Sequence, residues 1–356
     1  MFVFEAIKQA KSQREIPIDD TENGVPYIVQ SMFNNMVSRT VNKQWLIEHN
    51  EAPVSGNRIV LGVTLPAVSY QPREFGASQV ITAKADWLNE KNGVFISIAI
   101  FKLMYQFSYN RKPGLQIYKD MKIQLPTKNW RIDFSFIEDF ISKLEAERLA
   151  ELEAYLLATG LKDYTLTVEE QQVLIDYEKR LFEPFNVIDI FHVKNTSNVL
   201  SRDIVENSGK IPYLCASAEN NAVSSYISHD NKYLEKGKCI FIGGKTFVVT
   251  YQDSDFYSND SHNLTLWLKN EDIKNKLNQL YLVTCLNKSL GHQYSWGDSI
   301  SNKKIQKDKV SLPTNGNKPD YATMEIFISA IQKLVIKDVV LHVDSKIAAT
   351  KTIVKR

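Results

Sequence analysis

The chain of 356 residues has 44% hydrophobic and 11% aromatic residues and a formal net charge of +2 at pH 7. Its apolar content excludes an intrinsically disordered chain, and the small net charge alone indicates no class of partner. No apolar run approaches the roughly 18 residues that a membrane span needs, and the first residues lack a signal-peptide pattern, so we expect a cytoplasmic protein without membrane contact.

A long internal repeat governs the domain organisation. The stretch GVPYIVQSMFNNMVSRTV at residues 24–41 returns as KIPYLCASAENNAVSSYI at residues 210–227, displaced by 186 positions. Residues 56–78 return in the same way at 237–259, and the Leu-Pro-Thr at 125–127 returns at 312–314. A displacement this large is far longer than a solenoid unit, so the chain contains two copies of a whole domain.

Within each copy, the hydrophobic pattern predicts strands. Residues 59–63 and 240–244 are short β-branched runs that contain glycine, and residues 66–70 and 247–251 are expected to be their hairpin partners, with residues 63–67 as the tip of the first hairpin. The Asn-Asn pairs predict turns, because asparagine tolerates left-handed backbone geometry. Each copy is therefore predicted to be a mixed α/β domain with a strongly curved sheet.

Helical patterns follow each copy. Apolar residues at three- and four-residue spacing predict a helix over residues 134–157, about 36 Å long, and a similar stripe begins at residue 320. Matching stripes favour pairing as an antiparallel coiled coil, although each helix could instead pack only on its own domain. A shorter helix is predicted over residues 168–179. The fold class is thus α/β (α+β mixed), with a first domain at 1–132, a helical spacer at 133–180, a second domain at 181–318 and a C-terminal helix at 319–356.

The charge is distributed unevenly along the chain. Residues 133–180 contain 12 Asp or Glu and 5 Lys or Arg, a local net charge of −7, which leaves +9 on the rest of the chain. An acidic connector between two basic domains indicates that the domains, rather than the connector, contact a polyanion.

Sequence signatures of catalysis are missing. The chain has no GxxxxGK[ST], GxSxG or HExxH motif, and it lacks the Asn-Pro-Pro-aromatic motif of adenine methyltransferases. The histidines are scattered, and Cys215, Cys239 and Cys285 form no CxxC pair, so we expect buried free thiols and no metal site. An acidic cluster around Asp253 could suggest a nuclease, but the equivalent segment of the first copy contains only one acidic residue, Glu74. We therefore expect a chain that is not an enzyme and carries no cofactor of its own.

The repeated sequence pattern resembles that of the specificity (S) subunit of type I restriction–modification systems and of the allied subunits of type IIB systems. The pattern IPY…S-EN-N-V-S-YI, a glycine-led hairpin, and LP followed by a long helix occurs twice and covers nearly the whole chain. It is best in the second copy, since residues 31–36 of the first copy have no glutamate before the asparagines. The opening of the first copy is also shorter than residues 185–202.

The resemblance implies that each domain is a target recognition domain reading one half of a bipartite double-stranded DNA sequence, and that the helices set the gap. The predicted helix length matches about one turn of B-DNA. In the family, methyltransferase (modification) subunits bind the S subunit and supply S-adenosylmethionine and the catalytic site, and a nuclease is fused to them or joins them. S-adenosylmethionine and Mg²⁺ are therefore expected on partner subunits. The alternative is a tandem-domain protein-interaction scaffold without sequence-specific DNA binding.

Candidate DNA-binding residues follow from the chemistry of base and phosphate recognition, in which Arg, Lys, Asn and Gln read base edges and Lys, Arg, Ser and Thr bind phosphate. They lie in the Asn-rich turn, the hairpin and a late loop of each copy. The candidates are Asn34, Asn35, Arg39, Lys43, Gln71, Arg73, Arg111 and Lys112 in the first copy, and Asn220, Asn221, Ser225, Lys245, Thr246, Gln252, Lys288 and Tyr294 in the second.

Residues identical in both copies cannot give each domain a different target. The asparagines at 34 and 220 and the glutamines at 71 and 252 are therefore predicted to be structural or phosphate-binding. Base reading is predicted for the pairs that differ, which are Arg39 against Ser225, Thr64 against Lys245, and Arg73 against Ser254.

Overall fold

The computed structural model describes residues 2–8, 14–108 and 110–354, with side chains described as far as residue 349. The chain forms two compact units, Met1–Leu152 and Glu153–Arg356. The boundary between them falls within a long helix, and each unit contains one copy of the repeat.

The first unit is built from short strands with three helices and the first part of a fourth. Its elements are β1 (Val3–Ile7), β2 (Gly24–Ile28), β3 (Val37–Asn42), α1 (Lys43–Glu48), β4 (Arg58–Gly62), β5 (Val68–Gln71), β6 (Gly76–Ala77), β7 (Val80–Lys84), α2 (Glu90–Phe101), α3 (Leu115–Asp120), β8 (Thr127–Lys128), β9 (Arg131–Ile132) and α4 (Phe134–Ala158).

The second unit repeats this plan and adds two helices and a strand in front of it. Its elements are α5 (Val168–Asp176), β10 (Phe182–Asn186), α6 (Val187–Ile190), β11 (Phe191–Asn195), β12 (Ile211–Leu214), β13 (Val223–Ile227), β14 (Cys239–Gly243), β15 (Val248–Gln252), β16 (Tyr257–Ser258), β17 (Leu264–Leu268), α7 (Lys276–Leu290), α8 (Asn302–Ile305), β18 (Lys309–Asn315), β19 (Lys318–Pro319) and α9 (Tyr321–Val354).

The sheets of the two units have the same topology. The main sheet is antiparallel throughout, in the order β1-β7-β4-β5 in the first unit and β11-β17-β14-β15 in the second. A smaller sheet has the order β3-β2-β6 or β13-β12-β16, and its central strand shifts register at Tyr27/Ile28 or Tyr213/Leu214. The predicted hairpins are therefore confirmed as β4–β5 and β14–β15.

A helix that was not predicted from the sequence packs on each main sheet. In the first unit, Ile96 and Ile100 of α2 join the core formed by Ile59, Leu61 and Ile81 of the sheet. In the second unit, Tyr281, Leu282 and Leu286 of α7 join the corresponding strands. Both helices begin at an asparagine cap: Asn89 Oδ1 accepts from Asn92 N at 3.1 Å, and Asn275 Oδ1 accepts from Asn278 N at 2.8 Å. The caps satisfy free N–H groups at the helix starts.

The same cap residues hold the long helix that follows each domain. Asn89 Nδ2 donates to Glu138 Oε1 of α4 at 2.7 Å, and Asn275 Nδ2 donates to Glu325 Oε2 of α9 at 2.8 Å. The two glutamates occupy equivalent positions of the repeat. Each domain thereby fixes the first turns of its own long helix with the same polar contact.

In the second unit, α5 packs antiparallel against α9. Glu170 of α5 accepts from Ser329 Oγ at 2.6 Å and from Lys333 Nζ at 2.9 Å, and Tyr177 stacks on Phe327 with ring centroids 4.0 Å apart. Burial opposes ionisation of Glu170, but these hydrogen bonds lower its pKa below the ordinary value. Further along α9, Asp344 pairs with Lys162, which also lies 3.6 Å from Glu153 at the end of α4.

The structure confirms the mixed α/β class, with two domains that are each followed by a long helix. The helix predicted over 134–157 is observed as α4, and the shorter helix over 168–179 is α5 with a 3₁₀ turn at Tyr177–Lys179. Cys239 and Cys285 are buried and Cys215 is half-buried, all as free thiols. Burial raises the pKa of both buried thiols to about 12. None of the described helices is long and apolar enough to cross a membrane.

Candidate nucleic-acid interface

The Asn-Asn turn has the same unusual backbone in both units. Asn35 and Asn221 lie in the left-handed region with φ values of 50° and 53°, and the residues on either side of each also have positive φ. Asparagine tolerates this geometry better than most residues, because its short side chain can bond locally. Here Asn34 Nδ2 donates to Val37 O, and Asn220 Nδ2 donates to Val223 O, each at 3.0 Å.

Two side-chain amides join this turn to the hairpin. Asn35 Nδ2 donates to Tyr70 O at 3.1 Å, while Gln71 Nε2 donates back to Asn35 O at 2.8 Å. The second unit reproduces both bonds, from Asn221 to Tyr251 O at 3.0 Å and from Gln252 to Asn221 O at 3.0 Å. Both glutamines are 4% exposed. Of the two alternatives left open for the shared glutamines, the geometry therefore supports the structural one.

The shared glycine before each hairpin lies against backbone. A Cβ added to Gly56 would lie 2.5 Å from the carbonyl carbon of Arg73, and one added to Gly237 would lie 2.4 Å from that of Ser254. Both positions need glycine, because the loop after the hairpin returns close to its start. The repeated glycine is thus another part of the common scaffold.

The tips of the two hairpins are supported differently. In the first unit, Gln30 Oε1 accepts from three successive backbone N–H groups, those of Val63, Thr64 and Leu65, at 2.9, 2.5 and 3.2 Å. In the second unit, Asn263 Oδ1 accepts from Gly244 N at 2.9 Å. Neither supporting residue was predicted from the sequence, since each lies far from its tip along the chain.

The exposed side chains at the second tip form a charged cluster. Lys245 Nζ lies 3.0 Å from Asp260 Oδ2, and the ring Nδ1 of His262 lies 2.7 Å from Asp260 Oδ1. Partial burial opposes ionisation of Asp260, but hydrogen bonds from the backbone and ring of His262 and from Lys245 lower its pKa to about 2. Thr246 is exposed, and its hydroxyl donates to Ala216 O at 2.8 Å. At the position of Lys245 the first unit has Thr64, and its shorter loop between β6 and β7 contains Gln79 where the second unit has Asp260 and His262.

The other differing positions are divided between exposed and buried sites. Ser225 is 6% exposed, and its hydroxyl accepts a hydrogen bond from Asn207 N at 3.0 Å. Its counterpart Arg39 is half-buried, and the Arg39 guanidinium lies 5.9 Å from the centre of the Tyr27 ring. Arg73 is exposed on the loop after β5. Lys43 is 43% exposed and lies 2.6 Å from Glu74.

The candidates in the late loops lie on the surface. Arg111 and Lys112 are exposed, with the Arg111 guanidinium 5.9 Å from the centre of the Phe107 ring. The prediction of a loop at Lys288 was wrong, because this residue lies, exposed, in the last turn of α7. Tyr294 is half-buried, stacks on Phe247 with centroids 5.3 Å apart, and donates to Asp308 Oδ2 at 2.6 Å. Burial and this hydrogen bond raise the pKa of Tyr294 above its ordinary value.

Two exposed apolar residues beside the first Asn-Asn turn were not among the predicted site residues. Phe33 is 81% exposed and Met32 is 54% exposed, whereas the second unit has Glu219 and Ala218 there. The signal was present in the sequence as the departure of the first copy from the repeated pattern. The surfaces around the two turns therefore differ in chemistry although their backbones match.

The acidic residues near the second hairpin bond to protein groups. Asp253 accepts from the Tyr251 hydroxyl, and Asp255 accepts from Gly237 N and Lys236. In the described part of the chain, no three His, Cys, Asp or Glu side chains form a group that could hold a metal ion.

Comparison with known proteins finds a family match for the second repeat. Residues 179–341 match the family model of the type I restriction modification DNA specificity domain. The chain is also 21% identical, over 332 residues and 88% of each chain, to the specificity subunit S.BcgI of the type II restriction enzyme BgcI from Heyndrickxia coagulans. These matches confirm the resemblance to specificity subunits.

The fold of the whole chain has a match among solved structures. The crystal structure of the type I restriction–modification system S subunit from M. genitalium aligns with 99% of this chain and 94% of its own, with a TM-score of 0.54 and 12% identity. At this identity the match establishes the fold. It extends the likeness to the first repeat, which lies outside the segment matched by the specificity-domain model.

Proposed function

We propose that this chain is the DNA sequence-specificity subunit of a restriction–modification enzyme and that its two domains read the two halves of a bipartite target. The observation that carries the proposal is the contrast between side-chain hydrogen bonds to backbone that recur in the two repeats and exposed side chains at the tips that differ. A common scaffold with variable exposed side chains is what two readers of different base sequences require.

The proposed reading surface of each domain consists of the hairpin tip and the loops beside it. In the second domain, Lys245, Thr246 and Lys288 supply cationic and hydroxyl groups, and in the first domain Lys43, Arg73, Arg111 and Lys112 are exposed or partly exposed cations. We leave Gln71, Gln252 and Ser225 out of this surface, because their side chains are buried and bonded to backbone. Asn34, Asn35, Asn220 and Asn221 shape the turns that position it.

Ion pairs at the surface fit a role in binding phosphate. Lys43 is paired with Glu74 and Lys245 with Asp260. Both lysine side chains are more than 40% exposed, and ion pairs of exposed lysines contribute little stability. A phosphate could therefore replace the carboxylate partner at small cost. Binding through several such cations releases counterions, so we expect DNA affinity to fall steeply as salt rises.

The long helices are proposed to set the gap between the half-sites. The 25 residues of α4 span about 37 Å, which is close to one turn of B-DNA. Deleting four residues after Phe140 should shorten the gap and leave both half-site sequences unchanged. The catalytic work is assigned to partner methyltransferase subunits carrying S-adenosylmethionine, with Mg²⁺ on any partner nuclease.

Co-expression with its methyltransferase partner and genome-wide mapping of methylated adenine tests this function. We expect one split motif with a constant gap. Unmodified DNA, or a short continuous motif, would contradict the proposal. Equal weak binding to any DNA, without a methylation preference, would favour the protein-interaction scaffold.

A further inference from the structure

The two repeats differ at one edge of the domain. In the second unit, β10 pairs antiparallel with β18 from Phe182↔Pro313 to Asn186↔Lys309, and the hairpin β18–β19 continues from there. The first unit has the equivalent hairpin, β8–β9, with the same pairing at Thr127↔Ile132 and Lys128↔Arg131. The residues before it, 122–126, are equivalent to 309–313 but form no strand.

Within the part of the chain that the structure describes, the backbone at this edge of the first unit has no partner strand. Among the described residues, we find no backbone hydrogen bond to residues 122–125, whereas all of 309–313 lie in the ladder with β10. An open row of N–H and C=O groups is a template for another strand. The first unit therefore presents a docking edge where the second unit is closed.

The side chains at this edge are also uncovered. Val310 and Leu312 of β18 are 0% exposed, but the equivalent Ile123 and Leu125 are only half-buried. They line an apolar cleft of about 780 Å³, together with Phe4, Trp87 and Ile132. In the second unit, Phe185 of β10 packs against the equivalent core.

The neighbouring face of the long helix shows the same difference. Phe327 of α9 lies under Tyr177, which follows α5, and Arg180 Nη1 bonds Asp320 Oδ2 at 2.9 Å at the start of α9. At the equivalent position of α4, Phe140 is 46% exposed. One continuous segment of the second unit, residues 168–186, thus covers both the strand edge and the helix face that the first unit leaves open.

Charge identifies what would bind there. The covering segment 168–186 contains five Asp or Glu and two Lys or Arg. The open edge at residues 119–131 contains four Lys or Arg, all exposed, and one Asp. An apolar edge with this cationic rim complements an acidic segment with aromatic anchors.

We propose that the open edge of the first domain binds a partner polypeptide by strand addition. The partner segment is an acidic amphipathic helix followed by an extended stretch with aromatic residues at positions i and i+3, as in Phe182-Glu-Pro-Phe185. It pairs with residues 122–126 and inserts an aromatic side chain into the cleft. This inference does not rest on DNA binding.

A labelled peptide with the sequence of residues 168–186 tests the proposal on the full-length chain. It should bind with one-to-one stoichiometry, and replacing its two phenylalanines by serine should weaken binding at least tenfold by removing the apolar anchors. A photo-crosslinker at the position of Phe185 should label residues 119–132. Labelling of residues 306–319 would overturn the proposal, because the peptide would then only exchange with the chain's own β10.

Variants of the chain supply matched controls. Leu125→Asp should reduce peptide affinity at least tenfold, and the surface change Lys122→Glu should reduce it about threefold. Arg73→Glu, on the loop after β5, should leave it unchanged. Circular dichroism checks that the variants fold, and Lys122→Glu remains informative if Leu125→Asp does not. Sedimentation should show that the chain is a monomer. A dimer that is abolished by Leu125→Asp would mean that a second copy of the chain occupies the edge. A failure of the peptide to bind would refute the inference.

Discussion

The two repeats are alike at their Asn-Asn turns and differ at their hairpin tips. At the turns, four side-chain hydrogen bonds of the first repeat recur in the second with donor–acceptor distances that agree within 0.2 Å. At the tips a few residues away, Gln30 supports one loop, whereas Asn263 and the Lys245–Asp260 pair shape the other. The same backbone frame is therefore built twice and carries different surfaces.

This difference shows which residues of the repeated motif build the common frame and which give each repeat its own surface. The asparagines and glutamines that recur bond to backbone groups, so their repetition reflects the frame, while other exposed residues beside them carry the differences in charge and hydrophobicity. Changes to the shared glycine and the turn asparagines should therefore have equal effects in both repeats, and changes to the tips should affect one repeat alone.

The largest effect is expected at the shared glycine. Gly56→Ala and Gly237→Ala should each destabilise their own domain by about 3 kcal/mol, because the new Cβ meets backbone at about 2.5 Å. Hydrogen exchange measured by mass spectrometry resolves the two domains. Gly114→Ala and Gly297→Ala, where a Cβ meets nothing within 4 Å, are the controls. If only one of the two glycine variants strongly destabilised its own domain, the idea of a shared frame would be refuted.

Removing the turn asparagine should have the next largest effect. Asn35→Ala and Asn221→Ala each lose a bond to the hairpin and place alanine at positive φ, which should cost about 2 kcal/mol. Replacement by glycine should cost about half as much, because glycine accepts the backbone geometry. Exchange rates of the hairpin amides report the change. Equal costs for alanine and glycine would show that positive φ is not important.

Breaking the contact between cap and long helix should have a smaller effect that differs between the repeats. Glu325→Ala should cost about 1 kcal/mol, because its bond to Asn275 is partly buried, and Glu138→Ala about 0.5 kcal/mol, because its bond to Asn89 is exposed. Exchange protection of the first turns of α7 and α2 measures both. A larger loss in the first domain would contradict this ranking.

The smallest effect is a pH response confined to the second tip. The pKa of Asp260 is about 2, below its ordinary value of 3.8, so its stabilising contribution is complete above about pH 4 and is lost as pH falls through 2. NMR titration should show the amides of residues 260–262 shifting with a midpoint near 2. Asp260→Asn should remove this midpoint, and the first tip, which has Gln79 there, should show none. A midpoint near 3.8 would contradict the hydrogen-bonded cluster.

Local patterns in the sequence predicted the parts of the fold that local forces determine. The β-branched runs identified β4–β5 and β14–β15, and the long apolar stripe identified α4 to within one residue at its end. Repetition identified the two domains, because two copies of one pattern need no long-range contact to be seen.

The elements that were missed depend on distant partners. Helices α2 and α7 bury polar residues such as Asn92 and Asn278, which weakens their apolar periodicity. Strand β10 contains Pro184 and is held by β18, more than 120 positions away, so no local pattern reveals it. The support of one tip by Gln30 and of the other by Asn263 likewise depends on the folded chain.

The central claim is that the differing tips read DNA separately. Its most direct test is the methylation motif of the double variant Lys245→Thr, Asp260→Gln, which gives the second tip the residues of the first, co-expressed with the partner methyltransferase. The account predicts that one half of the motif changes while the other half and the gap stay as in the parent. A motif unchanged in both halves, or altered in both, would contradict it.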